Sequence, residues 1–110
     1  MDRSNEIYKR SLQSRRLYNF EWDEANKQHI QKHSVKPSEC EESFFDENKK
    51  IYKDLLHSQH EKRYILLGRT QKERLLYIVF TLRGEKSEKV RVVSARDINK
   101  RELQLYNSEA

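Results

Sequence analysis

Three segments in the C-terminal half of the chain alternate between apolar and polar side chains, a pattern typical of β-strands with one buried face. They span residues 63–68, 75–83 and 90–96, and charged or glycine-containing connections bound each of them. Because successive side chains of a strand point to opposite faces, an antiparallel meander sorts these residues onto two unlike surfaces. We predict one apolar surface and one that carries arginine, lysine and tyrosine.

The two short connections between these segments set the register of the predicted sheet. Across the loop at residues 84–88, Arg83 pairs with Lys89. Across the preceding loop, Gly68 pairs with Leu75. The predicted core face then holds Ile65, Leu67, Leu76, Ile78, Phe80, Leu82, Val90 and Val92. The opposite face collects Lys62, Tyr64, Tyr77, Thr81, Arg83, Lys89 and Arg91, and a slip of one residue would exchange the two sets.

The rest of the chain predicts two helices before the meander and one after it. Asp23 is the predicted cap of the first helix, which runs to about His33. The second helix is predicted to start at Ser38, which has capping-box spacing to Glu41 and follows Pro37. Asn99, with Glu102 three residues on, is the predicted cap of the third. Residues 17–22 and 50–56 are short strand candidates. This order predicts an α+β domain at residues 17–110, with two N-terminal helices packed on one sheet face and a C-terminal helix. Residues 1–16 form a polar, basic N-terminal extension.

Composition narrows the class of protein and of partner. The 110 residues are 35% hydrophobic, enough for one modest core. Lysine and arginine exceed the acidic residues by 5, which favours a polyanionic partner over a cationic one. One cysteine, Cys40, excludes an internal disulfide. Without an apolar run long enough to span a membrane, or the apolar core of a secretory signal, we expect a cytoplasmic protein.

Several stretches, in their order and spacing, resemble the BrnT family of type II toxins. The matching stretches are FEWDEAN (20–26), KHSV (32–35), FFDE (44–47), HSQHEKRYILLGR (57–69), RLLYIVFTLRG (74–84) and VRVVSAR (90–96), followed by Glu102 and Tyr106. Where the family usually has His-Gly after the first helix, this chain has His33 and Ser34, which makes a left-handed turn there less easy. The basic extension lies outside the matching pattern.

The resemblance implies both a fold and a function. It implies a RelE-like antiparallel sheet and a ribonuclease that cleaves RNA, and so inhibits translation, without a bound metal or other cofactor. It also implies a BrnA-like antitoxin with a ribbon-helix-helix fold that neutralises the toxin. DNA would be contacted only indirectly, through that antitoxin, and the complex would accommodate a toxin homodimer.

RNA cleavage needs cations for the phosphate, a base for the 2′-hydroxyl and a proton for the leaving oxygen. Arg83 and Arg91 are the candidates for the phosphate, because a guanidinium is planar and permanently charged; the alternative is a pair of cross-strand surface arginines. Glu61 is the candidate base, or else the partner of a neighbouring arginine. His33 is the candidate for proton transfer, or else a cap at the helix end.

Further residues are predicted to bind RNA around these four. They are Lys62, Arg63, Tyr64, Arg69, Tyr77, Lys89 and Arg96. Tyr64 and Tyr77 are placed either to stack unpaired bases or to meet a partner protein. Strict alternation turns Ser94 and Arg96 away from Arg91 and predicts structural roles for them, with Arg96 bound to the terminal helix or its Glu102, unless a β-bulge re-aims them. Tyr106 is either a leaving-group acid or a core residue.

Other reaction classes fit the sequence less well. His29 and His33 have the spacing of a zinc-binding helix, but Ile30 stands where the zincin signature requires glutamate. A serine hydrolase is disfavoured because the chain lacks a nucleophile elbow. The rival from another class is a non-catalytic module that binds RNA or protein on the same basic face. Cleavage of a defined RNA in EDTA, lost on Arg83→Ala or Arg91→Ala, distinguishes the two.

Overall fold

The computed structural model describes residues 18–57 and 60–109, and this part of the chain forms an α+β fold, as predicted. The elements are β1 (Asn19–Phe20), α1 (Glu24–Gln31), α2 (Pro37–Phe44), β2 (Lys50–Asp54), β3 (Arg63–Arg69), β4 (Leu75–Arg83), β5 (Lys89–Asp97) and α3 (Lys100–Asn107). The strands make one sheet in the order β1-β5-β4-β3-β2. The predicted basic extension lies outside the described residues. Of the helices described, none is both long and apolar enough to cross a membrane.

The sheet is mixed: β2 to β5 are antiparallel to one another, as predicted for the meander strands, and β1 is parallel to its neighbour. β1 pairs in parallel with β5, with Asn19 beside Lys89 and Phe20 beside Val90. The bond from the Glu21 N–H to the Val90 carbonyl, 2.8 Å long, continues this contact. Only strands joined by a short hairpin must be antiparallel, and β1 and β5 are far apart in sequence. The local pattern of residues 17–22 therefore predicted a strand but not its direction.

The predicted register between β4 and β5 is confirmed, up to a bulge. Arg83 pairs with Lys89, and Thr81 pairs with Arg91. The register then shifts between Val79 and Phe80, which leaves Val93 as an extra residue in β5. Beyond the bulge the faces of β5 are exchanged, so strict alternation fails there. Ser94 and Arg96 consequently lie on the same face as Arg91, opposite Val79 and Tyr77 respectively.

The predicted register between β3 and β4 is wrong by one residue. Arg69 pairs with Leu75, so that Gly68 lies opposite Leu76 instead of Leu75. The turn at residues 70–74 is closed by the Thr70 N–H bonding to the Arg74 carbonyl at 2.8 Å. Gly68 also faces α2 so closely that a Cβ atom on it would lie 2.6 Å from the Ser43 carbonyl oxygen. Close packing of α2 thus fixes the face of β3, which the alternation pattern had inverted.

The core lies between one face of this sheet and the helices α1 and α2. Its buried residues are Ile30, Val35, Cys40, Phe44, Leu66, Leu76, Ile78, Phe80, Val90, Val92 and Ala95. Phe44 of α2 sits at its centre, with ring centroids 5.0 Å from Phe80 and 5.2 Å from Phe20. Burial raises the pKa of the Cys40 thiol to about 12, so this thiol stays protonated. We call the sheet surface opposite this core the second face.

Two of the three predicted helix starts are confirmed. Asp23 and Asn26 exchange bonds of 2.8 and 3.1 Å at the start of α1, and Asn99 exchanges two bonds of 2.9 Å with Glu102 at the start of α3. The predicted cap at Ser38 is wrong. The N-cap is Lys36, two residues before Ser38, and the second helix begins at Pro37, whose fixed φ and missing N–H suit the first helical position.

Candidate active site

A transverse row of four side chains crosses the second face. The strand registers pair Asp54 with Arg63, Arg63 with Thr81, and Thr81 with Arg91, one residue from each of β2 to β5. Adjacent strands are about 4.8 Å apart, so the row spans roughly 14 Å. Arg83 lies two residues beyond Thr81 on the same strand and face. Three arginines are thus gathered at one end of the second face.

Arg83 and Arg91 converge on a single carboxylate oxygen. Oε1 of Glu21 lies 3.2 Å from Nη1 of Arg91 and 3.6 Å from Nη1 of Arg83. The Arg91 side chain is 14% exposed and the Arg83 side chain 44%. Two guanidinium groups around one oxygen form an arrangement that a phosphate oxygen can also occupy. The two arginines predicted from the sequence are therefore brought together, Arg83 half-exposed and Arg91 largely covered.

Arg91 is held more firmly than Arg83 because it also binds the start of α1. Its Nη1 lies 2.9 Å from Oδ2 of Asp23, the residue that caps that helix. The hydrogen bond from Arg91 is the main reason that the pKa of Asp23 is lowered, and the same bond raises the pKa of Arg91. Arg91 is therefore a fixed cation, oriented by the end of a helix.

The arginines line two adjoining grooves that share Glu61, Arg63 and Arg83. One groove runs beside α1 and includes Ala25, Asn26, His29, Arg91, Val92 and Val93. The other includes Leu56, His57 and His60. We refer to the two together as the arginine groove. It is the place in the described structure where the predicted Arg83, Arg91, Glu61 and Arg63 meet.

The groove is not the open basic surface that the sequence suggested, because carboxylates already pair with two of its arginines. Besides Glu21 and Asp23, Glu61 contacts Arg83, with Oε1 3.2 Å from Nη2. An ion pair was the alternative reading of Glu61, and it is the one observed. A phosphate entering the groove must displace these carboxylates, and until then they keep the guanidinium groups pointing into it.

His33 does not join the arginines. It is exposed beyond the end of α1, and its carbonyl accepts a bond of 3.1 Å from Nη2 of Arg74. Asp23, at the other end of this helix, is ten positions away, which corresponds to about 15 Å along a helix axis. His29, one turn earlier than His33, does line the groove. A catalytic role for His33 stays a prediction that this geometry does not favour.

The two tyrosines predicted to stack bases lie on different faces. Tyr64 packs on the core side, its ring stacked on Phe80 with centroids 5.5 Å apart, so its predicted place on the RNA face is wrong. Tyr77 lies on the second face, but the Arg96 guanidinium covers its ring at 3.9 Å. Arg96 in turn forms two bonds of 2.8 Å to Glu102 of α3. Tyr77 and Arg96 therefore anchor the C-terminal helix.

The remaining predicted contacts are spread over the molecule. Lys62 and Lys89 are exposed near the arginine end of the sheet. Arg69 lies at the other end of β3, about 20 Å from Arg63 at the usual rise of a strand, with its guanidinium over the Tyr106 ring at 5.6 Å. Tyr106 is buried and donates a bond of 2.6 Å to Asp46, and burial is the main cause that raises its pKa to about 12. The core reading of Tyr106 is the one observed.

The sequence did not indicate several residues of the groove. Glu21 and Asp23 were read only as part of a strand end and a helix cap, because their contacts to Arg91 cross about 70 positions. From the sequence, His57 had no role beyond its place in the matching stretch 57–69. The three-residue spacing between Asp54 and His57, near the end of a predicted strand, was the one sequence feature that could have suggested their pairing. The described residues contain no group of three or more histidine, cysteine or acidic side chains placed to hold a metal ion.

The hydroxyl of Thr81, between Arg63 and Arg91 in the transverse row, is buried without a hydrogen-bond partner. An unpaired buried hydroxyl costs folding free energy, so Thr81→Val should raise the free energy of unfolding in urea by about 1 kcal/mol. Thr81→Ser, which keeps the hydroxyl and loses a methyl group, is the matched control and should lower it by a similar amount. A loss of stability in Thr81→Val would mean that the hydroxyl is bonded in solution.

Comparison with known proteins shows which family this chain resembles. The model of a family described as "Ribonuclease toxin, BrnT, of type II toxin-antitoxin system" matches residues 22–102. This range contains the whole transverse row together with α1 and the start of α3. A search of curated proteins finds no match.

Proposed function

The chain belongs to the BrnT family of ribonuclease toxins of type II toxin–antitoxin systems, and we propose that its arginine groove is where RNA is cleaved. The observation that carries this proposal is the convergence of Arg83 and Arg91 on one oxygen of Glu21. A scissile phosphate in place of that carboxylate would receive two guanidinium groups. Arg63, their neighbour across β4, would hold the next phosphate or the sugar.

The proposed reaction uses the RNA's own 2′-hydroxyl as nucleophile and needs no metal. The 2′-oxygen bonds to phosphorus as its proton passes to a base, and the bond from phosphorus to the 5′-oxygen breaks. The leaving oxygen takes a proton from water or an acid, so the products are a 2′,3′-cyclic phosphate and a 5′-hydroxyl. Arg83 and Arg91 stabilise the charge that develops on the phosphate oxygens between these two events.

Glu61 has a positioning role in this proposal. Its contact with Arg83 turns the carboxylate toward a guanidinium group, so while the groove is empty it holds that arginine in place. Displacement of Glu61 and Glu21 by the substrate exchanges one set of ion pairs for another. The displaced carboxylates remain attached to the chain, so their side chains must turn away from the arginines as the phosphate enters.

We propose a BrnA-like ribbon-helix-helix antitoxin as the partner that silences this groove. A type II toxin is neutralised by a protein, and the net charge of +5 favours an acidic segment. Carboxylates of that segment would pair with Arg83 and Arg91 as Glu21 does here. The toxin, alone or as a homodimer, would reach DNA only through the antitoxin, and free toxin would cleave RNA in the cytoplasm and stop translation.

The test is incubation of the purified chain with a defined single-stranded RNA in the presence of EDTA. We expect fragments that end in a 2′,3′-cyclic phosphate, and no cleavage when a 2′-deoxynucleotide replaces the nucleotide at the cut. Tight binding of intact RNA would instead support the non-catalytic module. Cleavage that stops in EDTA and returns with added Mg²⁺ would contradict the metal-independent reaction.

A further inference from the structure

A histidine and a carboxylate form a hydrogen-bonded pair at the end of β2. Nδ1 of His57 lies 3.1 Å from Oδ2 and 3.3 Å from Oδ1 of Asp54. The Asp54 side chain is 8% exposed, whereas the His57 side chain is 67% exposed. The pair therefore has a buried acidic end and an imidazole that solvent and ligands can reach.

The Asp54 carboxylate is fixed by the backbone as well as by the imidazole. Its Oδ1 accepts the N–H of Leu56 at 3.2 Å and the N–H of His57 at 3.3 Å. An ionised carboxylate only accepts hydrogen bonds, so in the neutral imidazole Nδ1 carries the hydrogen and Nε2 carries the free electron pair. This is the tautomer that a general base needs, with its basic nitrogen turned away from Asp54.

The pair stands beside the arginines of the groove. Asp54 is the cross-strand neighbour of Arg63, and His57 lines the same groove as Glu61, Arg63 and Arg83. A base that accepts the 2′-proton must lie next to the cations that hold the phosphate, because the 2′-oxygen attacks the adjacent phosphorus. His57 meets this requirement, and His33 at the far end of α1 does not.

We infer that His57 is the general base of the cleavage reaction and that Asp54 is its positioning residue. This inference rests on the proposed function, since it assigns a role within the same reaction. Nε2 of His57 takes the proton of the 2′-hydroxyl as the bond from the 2′-oxygen to phosphorus forms. The bond from phosphorus to the 5′-oxygen breaks, the leaving oxygen takes its proton from water, and the imidazolium returns its proton to solvent.

The other titratable groups of the groove lack this arrangement. His29 and His60 line it, but the described contacts give neither of them a carboxylate on one ring nitrogen. Glu61 is already paired with Arg83. The charged groups that face His57 are Asp54 on its own strand end, together with Glu61, Arg63 and Arg83 across the groove. Asp54 alone among them fixes the imidazole by a hydrogen bond that the structure describes.

The experiment measures single-turnover cleavage of a short fluorescent RNA, in EDTA, by the full chain and its variants. His57→Ala should lose about 10²–10⁴-fold in rate, the usual contribution of a general base. Added imidazole should restore part of that rate, because it replaces the missing group. Asp54→Asn should lower the single-turnover rate constant at saturating enzyme about tenfold to a hundredfold, the loss expected for a hydrogen bond to a charged group. The enzyme concentration that gives half of the maximal rate should stay unchanged.

Two histidines serve as matched comparisons. His60→Ala tests a ring that lines the groove without a described carboxylate partner, and His33→Ala tests the residue predicted from the sequence. Imidazole should restore activity to His57→Ala and to neither of these. Thermal unfolding of each variant separates lost chemistry from lost fold, and imidazole rescue keeps the test valid even where a variant is less stable.

The possible outcomes are distinct. If the native chain cleaves RNA and His57→Ala cleaves at the same rate, the inference fails and the proposed function stands. If imidazole restores His33→Ala instead of His57→Ala, the base is His33 and the inference is overturned. If the native chain leaves every RNA intact, the proposed function fails, and the role of His57 fails with it.

Discussion

Arg91→Ala is expected to lower kcat for RNA cleavage by about 10²–10³-fold, the loss typical of removing one fixed donor to a transition-state oxyanion. Arg91 is the less exposed of the two converging arginines, and Glu21 and Asp23 hold it. Its removal takes away a cation, leaves Asp23 without its arginine partner and leaves Glu21 with Arg83 alone, so that uncompensated negative charge lies beside the phosphate. KM should therefore rise together with the fall in kcat.

Two variants separate this loss from a general effect of charge. Arg91→Lys keeps the positive charge but cannot bridge two carboxylates with a planar fork, so it should recover only part of the rate. Arg101→Ala removes an exposed arginine of α3 and should match the native rate. Cleavage by Arg91→Ala at the rate of Arg101→Ala would show that the converging arginines are a surface ion-pair cluster with no role in the reaction.

Local patterns predicted the strands and helix caps well, because each depends on a few neighbouring residues. The alternation of apolar residues gave the three meander strands, and the loop at 84–88 gave the pairing of Arg83 with Lys89. The pairing of β3 with β4 depended on the turn at 70–74, where Glu73 adopts a left-handed φ of 68°. Glycine usually marks such a position, so a glutamate there did not reveal the turn. The predicted register, Gly68 with Leu75, and the observed one, Gly68 with Leu76, leave the same face of β4 in the core. The close packing of Gly68 against α2 favours the observed one.

The same contrast between local patterns and long-range contacts applies to the candidate site. Residue chemistry made Arg83 and Arg91 candidates for the phosphate, because a guanidinium suits a phosphate. The resemblance to the BrnT family then favoured this role over a pair of surface arginines. Their partners could not be read from the sequence, since an ion pair between Glu21 and Arg91 leaves no local pattern. The bulge at Val93 likewise moved Arg96 onto the face of Arg91. Long-range contacts and one irregular residue thus account for most of the differences between the predicted and the observed arrangement of these side chains.

Arg74→Ala is expected to be the most destabilising of the single substitutions considered, lowering the free energy of unfolding by about 2–3 kcal/mol. Its guanidinium binds both oxygens of Asp97 at 2.7 and 3.2 Å, as well as Glu39 at 3.2 Å. It also donates to the carbonyl of Ser34 at 2.8 Å. Ser34 has a left-handed φ of 57°, a conformation that glycine adopts more easily than serine. The bond from Arg74 therefore stabilises a turn that serine disfavours.

Thermal and urea unfolding of Arg74→Ala, Arg74→Lys and Arg101→Ala measures this effect. The alanine variant should melt about 10–20 °C lower than the native chain. Arg74→Lys should lose roughly half as much free energy, because it keeps the charge and loses the fork. Arg101→Ala should unfold as the native chain does. A melting temperature for Arg74→Ala within a few degrees of the native value would mean that the contacts of the Arg74 guanidinium add little to stability.

The stability provided by the contacts of Arg74, which we call the Arg74 clamp, should depend on pH in a defined direction. The hydrogen bond from Arg74 is the main cause that lowers the pKa of Asp97 below its ordinary value of 3.8. A carboxylate with a lowered pKa in the folded state stabilises the fold above its unfolded value, and that stabilisation is lost as the pH falls through the folded value. The difference in unfolding free energy between the native chain and Arg74→Ala should thus be constant near neutral pH and shrink below about pH 4. A difference that stays constant down to pH 2 would assign the clamp to the carbonyls of residues 33 and 34 instead of to Asp97.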